Sequence, residues 1–517
     1  MAPDGTDTWI LPEGLRPDRL LAALAGSFGF HTFPEYAAEV VYADSFDWRL
    51  FQRGHLIHCH DRGWTLYHGD AGEVTVQQDG PELGVRCFAR DFPPGPLRDL
   101  LTPLLGVRAL LPMARVHLVG RQVRLLNRDE KTVARLVFER QRPAASTETF
   151  SLVRLFGLRG YDEELAAVRR LLRENGVTHP ASPLAGFGEG CRVAGHMPLD
   201  YTSKFAVRLD ADCTGREAMV HIYRQLLATI SRNLPGTIDD LDPEFLHDLR
   251  VAIRRTRSGL SLVKEVLPAE VVDTARRDFA TLGAITGPTR DLDVYLEQRE
   301  SYLERLPEVL RPGLNGFFAD LAVRRRTEQQ RLARGLRGKK TRAILAAWKR
   351  QLNAKTPQPA PRAEVPVIDL AGRIIHRRSK RVLRDGRALH SATPDAEVHR
   401  LRIQCKKLRY ALEFFGSLYP EDDMALLVRQ LKRLQDILGD FNDLSVQQQL
   451  LAATLTGLRK GARVDLGLAA ALGGLMQSLY QEQQALRDHF SEAFARFADP
   501  ETTDLYRTLF RPREEPA

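Results

Sequence analysis

Between residues 10 and 142 the apolar positions come in short runs, separated by Gly, Pro, Asp and Asn. Val40-Val41-Tyr42, Gly54-His55-Leu56-Ile57-His58-Cys59, Trp64-Thr65-Leu66-Tyr67, Gly72-Glu73-Val74-Thr75-Val76, Arg115-Val116-His117-Leu118-Val119 and Val133-Ala134-Arg135-Leu136-Val137-Phe138 are rich in β-branched and aromatic residues. Runs of this length and chemistry suit a pleated, half-buried surface and predict an antiparallel sheet. Two stretches with helical spacing interrupt it, 19–28 and 162–174, the second closed by Asn175-Gly176 as a C-cap. After a connector containing Gly and Pro at 179–195 the apolar period lengthens to 3.6, and Leu, Ala and Arg dominate. That pattern predicts helix for the rest of the chain. A Pro-rich interruption, Lys355-Thr356-Pro357-Gln358-Pro359-Ala360-Pro361, cannot continue a helix and reads as a polyproline-like linker. The expected organisation is a β-domain over 1–178, a linker over 179–212, and helical segments over 213–354 and 366–517 joined by the linker 355–365.

The two helical segments are copies of one another. His247-Asp248-Leu249-Arg250-Val251-Ala252-Ile253-Arg254-Arg255-Thr256-Arg257 aligns with His399-Arg400-Leu401-Arg402-Ile403-Gln404-Cys405-Lys406-Lys407-Leu408-Arg409, 152 positions later (399 − 247). The offset persists downstream, where Leu282, Gly287, Asp291, Leu292 and Val294 fall on Leu434, Gly439, Asp443, Leu444 and Val446. A helix pair and its connection are therefore duplicated without net insertion. Gly287 and Gly439 read as ends of one helix, with Asp291 and Asp443 capping the next.

Each copy carries a core stripe and a basic row beside it. Leu246, Leu249, Ile253, Thr256, Leu260 and Val263 recur at 3-4 spacing, as do Val398, Leu401, Cys405, Leu408, Leu412 and Phe415. His247, Arg250, Arg254 and Arg257, with His399, Arg402, Lys406 and Arg409, are shifted by one residue, about 100° around the helix. Such rows flank the buried seam, where two facing helices can line a common groove. Guanidinium forks match phosphate oxygens and stay charged, lysine adds a point charge and histidine a titratable donor.

Charge sharpens this picture. Of the net +9, residues 216–517 hold 50 Lys+Arg against 39 Asp+Glu, or +11, and residues 1–215 hold 25 against 27, or −2. The positive field belongs to the helical part and calls for an anionic partner. The five cysteines (Cys59, Cys87, Cys191, Cys213, Cys405) are scattered and never spaced as CxxC, which argues against a disulfide framework or zinc site. His58 and His60 share a strand face but lack a third ligand at metal-binding spacing, so no metal or other cofactor is assigned. No run reaches about 18 uninterrupted apolar residues and no secretion signal opens the chain, so a cytoplasmic protein without a membrane partner is expected.

The paired H-x-x-R-[VI]-x-x-[RK]-[RK]-x-R segments, each followed by L-x-x-[IL]-x-G-x-x-x-D-L, resemble the CHAD family, the conserved-histidine α-helical domain, from about Cys213 to Phe510. The resemblance implies two pseudo-symmetric four-helix bundles that bind inorganic polyphosphate in a basic central channel. It carries that role to His247, Arg250, Arg254, Arg255 and Arg257, and to His399, Arg402, Lys406, Lys407 and Arg409. Arg224, Arg342 and Arg377, on neighbouring helices, are further candidates. The N-terminal part resembles a degenerate CYTH domain, a triphosphate-tunnel β-barrel, through Ile10-Leu11-Pro12-Glu13-Gly14, Tyr42-Ala43-Asp44-Ser45-Phe46-Asp47-Trp48-Arg49-Leu50 with Gly54, and Leu136-Val137-Phe138-Glu139. The ExExK signature of that family would fall just before Ile10, where Asp4-Gly5-Thr6-Asp7-Thr8-Trp9 stands instead. Without two glutamates alternating on one strand the metal clamp for phosphoryl chemistry is missing.

The expectation is thus an α+β multidomain protein, a degenerate β-barrel followed by an all-α CHAD module, that binds polyphosphate without catalysis and is recruited to polyphosphate granules. One alternative is a triphosphate or nucleotide hydrolase using Asp44, Asp47 and Glu139 as substitute ligands. Nucleic-acid binding is a second, but the helical part lacks aromatic side chains interleaved for base stacking.

Overall fold

The computed structural model describes residues 6–69, 73–182, 184–354, 360–390, 393–458 and 465–511. They form two compact units, Met1–Ser203 and Lys204–Ala517.

The first unit contains β1 (Thr6–Ile10), α1 (Pro17–Leu24), β2 (Gly29–Thr32), β3 (Tyr36–Asp44), β4 (His55–His60), β5 (Gly63–His68), β6 (Glu73–Asp79), α2 (Pro96–Leu105), β7 (Leu111–Leu126), β8 (Thr132–Pro143), β9 (Phe150–Gly157), α3 (Asp162–Glu174) and α4 (Ala185–Val193). The strands follow the order β1-β9-β8-β7-β3-β4-β5-β6, and β2 pairs with the far end of β7. All neighbours are antiparallel. The expected barrel is therefore a half-barrel whose strand path ends at β1 and β6. Each strand expected from the apolar runs lies in β3 to β8, except that Gly54 sits in the left-handed region just before β4 and Gly72 lies outside the described residues. The helix expected at 162–174 is α3, followed by Gly176 in the left-handed region at φ +90°.

The period-two alternation of β8 sends its residues to two environments. Ala134, Leu136 and Phe138 join Val153 and Leu155 of β9 in a core closed by α1 and α3. Glu139 and Gln141 point to the other face, where α4 packs on β7 and β8. Close approach there requires glycine, since a Cβ on Gly190 would sit 2.9 Å from that of Ala114. The segment 179–212, read from sequence as a linker, thus supplies a helix that covers the sheet. A second core, around Ile57, Trp64, Leu66 and Leu101, lies beneath α2.

The second unit is helical: α5 (Gly215–Ile238), α6 (Pro243–Leu262), α7 (Ala269–Glu297), α8 (Arg299–Glu304), α9 (Asn315–Arg337), α10 (Lys339–Asn353), α11 (Val367–Arg387), α12 (Asp395–Phe415), α13 (Glu421–Leu458), α14 (Leu466–Phe497) and α15 (Pro500–Leu509). The first residues of α5 and α11, of α6 and α12, and of α7 and α13 are each 152 positions apart (367 − 215, 395 − 243, 421 − 269). The duplication seen in the motif holds helix by helix. In the first copy α5, α6, α7 and α9 pack as a ring; in the second α11, α12, α13 and α14 do so, with Gly386 of α11 admitting Phe494 of α14. Of the Pro-rich linker, residues 355–359 lie outside the described residues.

One expectation is corrected. Gly287 and Gly439 do not end helices, and Asp291 and Asp443 cap nothing: all four lie inside the continuous helices α7 and α13. The apolar residues that α7 and α13 bury on either side of these positions outweigh the modest helix-propensity cost of one glycine. Both helices extend past the first hydrophobic core, which contains Phe279 and Leu434, into a second that joins Leu292, Tyr302 and Phe318 to Leu444, Leu472 and Leu475. Each core draws on both copies.

Candidate functional site

The α6 helix starts where Asp242 accepts hydrogen bonds from the N–H groups of Glu244 and Phe245, with Pro243 in the first turn. Its expected stripe is buried, Leu246, Leu249, Ile253, Thr256 and Leu260 each being at most 3% exposed. Leu401, Cys405, Leu408, Leu412 and Phe415 are buried likewise in α12. With the stripes fixed, the neighbouring residues emerge at the edge of the core, and α6 and α12 pack against each other across the two copies.

At this contact the basic rows meet. The Arg254 Nε–H donates to the Tyr410 hydroxyl at 2.7 Å, tying a first-copy guanidinium to the second copy. Burial, reinforced by the positive charges of Arg402 and Arg254, pushes Lys406 down to about 8. Arg402 is also lowered, first by burial and then by Arg254, with Asp443 opposing. Arg250 follows the same logic: burial lowers it, Asp291 opposes, and Arg254 and Arg290 add to the lowering. Four cations from two duplicated helices therefore feel one another, with Arg254 common to all three lowered groups. Such crowding is unfavourable in the empty protein and becomes favourable once an anion is placed among them.

Two arrangements orient the row. In the second copy His399 donates from Nδ1 to the Asn442 side-chain oxygen, the Asn442 amide donates to Asp443 at 3.2 Å, and Arg402 donates to the same carboxylate at 3.1 Å. In the first copy Arg250 lies along α7, donating to the Thr286 hydroxyl at 3.3 Å. A Cβ on Gly287 would sit 3.4 Å from its Nη1, and one on Gly283 would sit 3.0 Å from Nη1 of Arg257. These glycines let two guanidinium groups lie against a helix backbone. Arg290 occupies the position of Asn442 in the first copy and pairs with Glu297 at 3.0 Å.

Other residues of the expected set have separate surroundings. Arg255 donates twice to Glu413, at 3.0 and 2.8 Å, and lies over the Phe205 ring, so it joins the copies through an ion pair. Arg409 donates to the other oxygen of the same carboxylate at 2.7 Å, yet its charge also helps to lower Lys406 and so reaches the seam. Lys407 faces α11, where burial and then Arg378 and Arg381 lower it. Arg224 donates to the Leu352 carbonyl and the Asn353 side chain at the end of α10. Arg342 and Arg377 are exposed, and His247 is half-buried on α6. Sequence reasoning missed Tyr410 and Arg290. The 152-residue offset could have flagged Arg290, a cation standing where the copy has an amide, whereas nothing local marks Tyr410.

The carboxylates considered for phosphoryl chemistry lie in the first unit and are engaged elsewhere. Asp44 accepts the N–H groups of Ser45, Leu50 and Phe51, which fixes the β3–β4 connection, and burial pushes it up to about 7. Burial raises Asp47 too, but Arg108 and Arg49, with the Ser45 hydroxyl, bring it below the usual carboxylate range. Glu139 pairs with Arg154 at 2.9 Å and accepts from Gln141 at 2.8 Å. Asp7, on the strand where the metal clamp would stand, pairs with Arg169 of α3 at 2.6 Å. His58 meets the Tyr67 hydroxyl at 2.7 Å, and burial pushes it down to about 4, whereas His60 is exposed. Among the described residues no three His, Cys, Asp or Glu side chains gather to hold a metal ion.

Residues 221–452 match the family profile described as CHAD domain. That segment is a CHAD domain. Among solved structures the chain is similar to the CHAD domain from the plant Ricinus communis, at 27% identity over 61% of this chain and 98% of that one, with a TM-score of 0.45. It is also similar to PptA from Streptomyces chartreusis, at 19% identity over 54% of this chain and 98% of that one, TM-score 0.43. A third similar structure is an adenylyl cyclase candidate from Hippeastrum with a dominant triphosphatase activity, at 15% identity over 38% of this chain and 99% of that one, TM-score 0.25. Comparison with curated proteins returned no match. The CHAD match takes in all of α6, α7, α11 and α12, and hence both basic rows. Among the described residues no helix is long and apolar enough to cross a membrane.

Proposed function

We propose that the CHAD domain binds inorganic polyphosphate, without turning it over, along the contact of α6 and α12. The observation that carries this reading is the meeting of Arg254 with Arg402 and Lys406 across the duplicated helices, where Lys406 is driven down to about 8 by burial and by those two charges. A phosphate chain offers one negative charge per unit and no apolar surface, which suits a row of guanidinium groups edged by hydroxyls. Arg250, Arg254, Arg402, Lys406 and Arg409 form the contact set. Arg255 joins the two copies and stands outside it. Binding of this kind recruits the protein to polyphosphate granules, while the half-barrel contributes no catalysis.

The test is binding of the full-length chain to long-chain polyphosphate over a range of salt. With about five phosphates neutralised, the logarithm of affinity should fall against the logarithm of salt with a slope of roughly −3 to −4. Arg254→Glu combined with Lys406→Glu should remove the seam's share of the salt-sensitive binding and make the salt slope shallower. Salt-insensitive binding, or binding unaffected by that double variant, would sink the reading.

A further inference from the structure

We propose that the α11 helix, together with α15, forms a second phosphate-chain site on a face of the CHAD domain separate from the α6–α12 seam, making each molecule bivalent for polyphosphate. This deepens the function proposed above and rests on it for the identity of the ligand.

The sequence of α11 carries seven Arg and Lys against two Asp: Arg373, Arg377, Arg378, Lys380, Arg381, Arg384 and Arg387 against Asp369 and Asp385. Its duplicate, α5, does not share this property. At the 152-residue offset Arg377, Lys380, Arg381 and Arg387 fall on Gln225, Ala228, Thr229 and Pro235. The surplus charge is therefore particular to the second copy and is not a demand of the fold. Its buried face is intact, Leu370, Ile374, Ile375 and Val382 being part of the shared core, so Arg377, Lys380, Arg384 and Arg387 occupy the opposite side, while Arg378, in register with Ile374 and Val382, is half-buried toward α12.

One geometric feature makes this face more than a solvated row. A cleft of about 490 Å³ runs between α11 and α15, lined by His376, Lys380, Arg384, Arg387 and Arg507, with Asp504 as its one acidic residue. On the side of α11 that faces α12, away from the cleft, Arg378, Arg381 and Lys407 crowd together: Lys407 is lowered by burial, then by Arg378 and Arg381, and Arg378 by burial, then by Arg377 and Arg381. Asp385 meets Arg381 at 3.6 Å and Arg384 at 2.8 Å, and Asp504 meets Arg507 at 3.1 Å. Among the described residues no carboxylate within ion-pair distance answers Arg378, Lys380, Arg387 or Lys407. Arg378 has its Nε buried without a hydrogen-bond partner. The cleft thus holds more cations than carboxylates, Lys380 and Arg387 having none, and a bound polyanion offsets that surplus.

The face is distinct from the seam. Lys406 and Lys407 are adjacent on α12 and so project about 100° apart. The positive neighbours of Lys406 are Arg402, Arg254 and Arg409, whereas those of Lys407 are Arg378 and Arg381. The two sets share no member. Phosphate chain suits the cleft better than single-stranded nucleic acid, because its aromatic residue, Tyr506, is 2% exposed and offers no ring for a base to stack on.

The experiment titrates the full chain and three variants with short-chain polyphosphate by calorimetry, and with long-chain polyphosphate by light scattering. The variants are Lys380→Glu with Arg387→Glu, the charge-neutral Lys380→Gln with Arg387→Gln, and the seam variant Arg254→Glu with Lys406→Glu. The wild type should bind two short chains and scatter light with long ones, because bivalent molecules cross-link. Both α11 variants should fall to one short chain and lose most of the scattering, and the seam variant should keep one short chain. If the wild type binds a single short chain that the α11 variants leave untouched, the second site does not exist even though the seam is upheld. A seam variant that still binds one chain lost on changing α11 would uphold the second site even where the seam reading fails. Preferential displacement from the seam variant by duplex DNA would overturn the assigned ligand.

Discussion

The Arg254 guanidinium and the Tyr410 hydroxyl, 2.7 Å apart, stitch the two copies of the CHAD domain together at the place where their basic rows meet. Tyr410 is 7% exposed and packs against Phe414. Its hydroxyl accepts from Nε and leaves both terminal nitrogens of Arg254 able to reach a ligand. Tyr410→Phe keeps the ring and removes the acceptor. Polyphosphate affinity should drop by about five- to tenfold, the equivalent of roughly 1 kcal/mol. Equal affinity in the variant would show that Arg254 needs no anchoring.

Lys406 sets a pH dependence. With a value of about 8 in the free protein it is charged at neutral pH and loses its proton as pH rises through 8. A polyanion favours the charged form, so the bound lysine keeps its proton to higher pH and binding above pH 8 takes up a proton. Affinity should be flat from pH 6.5 to 7.5 in this lysine's contribution, then fall by up to about tenfold per pH unit between roughly 8 and 10. Lys406→Arg should flatten that fall, because guanidinium stays charged. The stability of the ligand-free domain moves the other way. The unfolded lysine titrates near 10.4 and binds more protons in this window, so the lysine's contribution to stability improves as pH rises through 8.

Glu413 answers two cations, Arg255 from the first copy and Arg409 from its own helix. Glu413→Gln removes the negative charge from a pair whose side chains are only 14% and 15% exposed. Urea unfolding should show a loss of ~1–3 kcal/mol, the scale of breaking a partly buried ion pair. Affinity for polyphosphate should rise two- to threefold on the same change, since Arg409 is released toward the seam. A loss of stability accompanied by weaker binding would contradict that placement of Arg409.

In the half-barrel, Asp44, Asp47 and Glu139 have separate tasks, the first two at the β3–β4 connection and the third against Arg154. The full chain should release no phosphate from triphosphate with magnesium or manganese above the level of a Glu139→Ala variant. Metal-dependent release that vanishes in that variant would return catalysis to this unit.

How much of this could be read from the residues follows from physics. Periodicity marks helices wherever a buried stripe is continuous, which is why α6 and α12 were legible, and turn residues isolate strands such as β4 and β5. Gly287 and Gly439 misled because glycine signals a helix end only when nothing else holds the helix; here α7 and α13 bury apolar residues on both sides of it. The covering helix α4, rich in glycine, carries almost no helical signal of its own and exists because Gly186 and Gly190 permit close approach to the sheet. Within the site, the basic row was visible as a spacing, but its division was not. Arg254 and Arg255 are neighbours of like chemistry, and only the packing of α6 against α12 decides that the first meets Tyr410 and the second Glu413.

Because Phe279 and Leu434 belong to one apolar interior and Leu292 and Leu475 to another, neither half of the duplication owns a complete interior. A single half would have to pair with a second to cover its apolar face, and the duplication builds that pairing into one fold. The cationic rows are consequently fixed in register by the same atoms that keep the chain folded. A cut between the halves would therefore scatter the rows together with the ground beneath them.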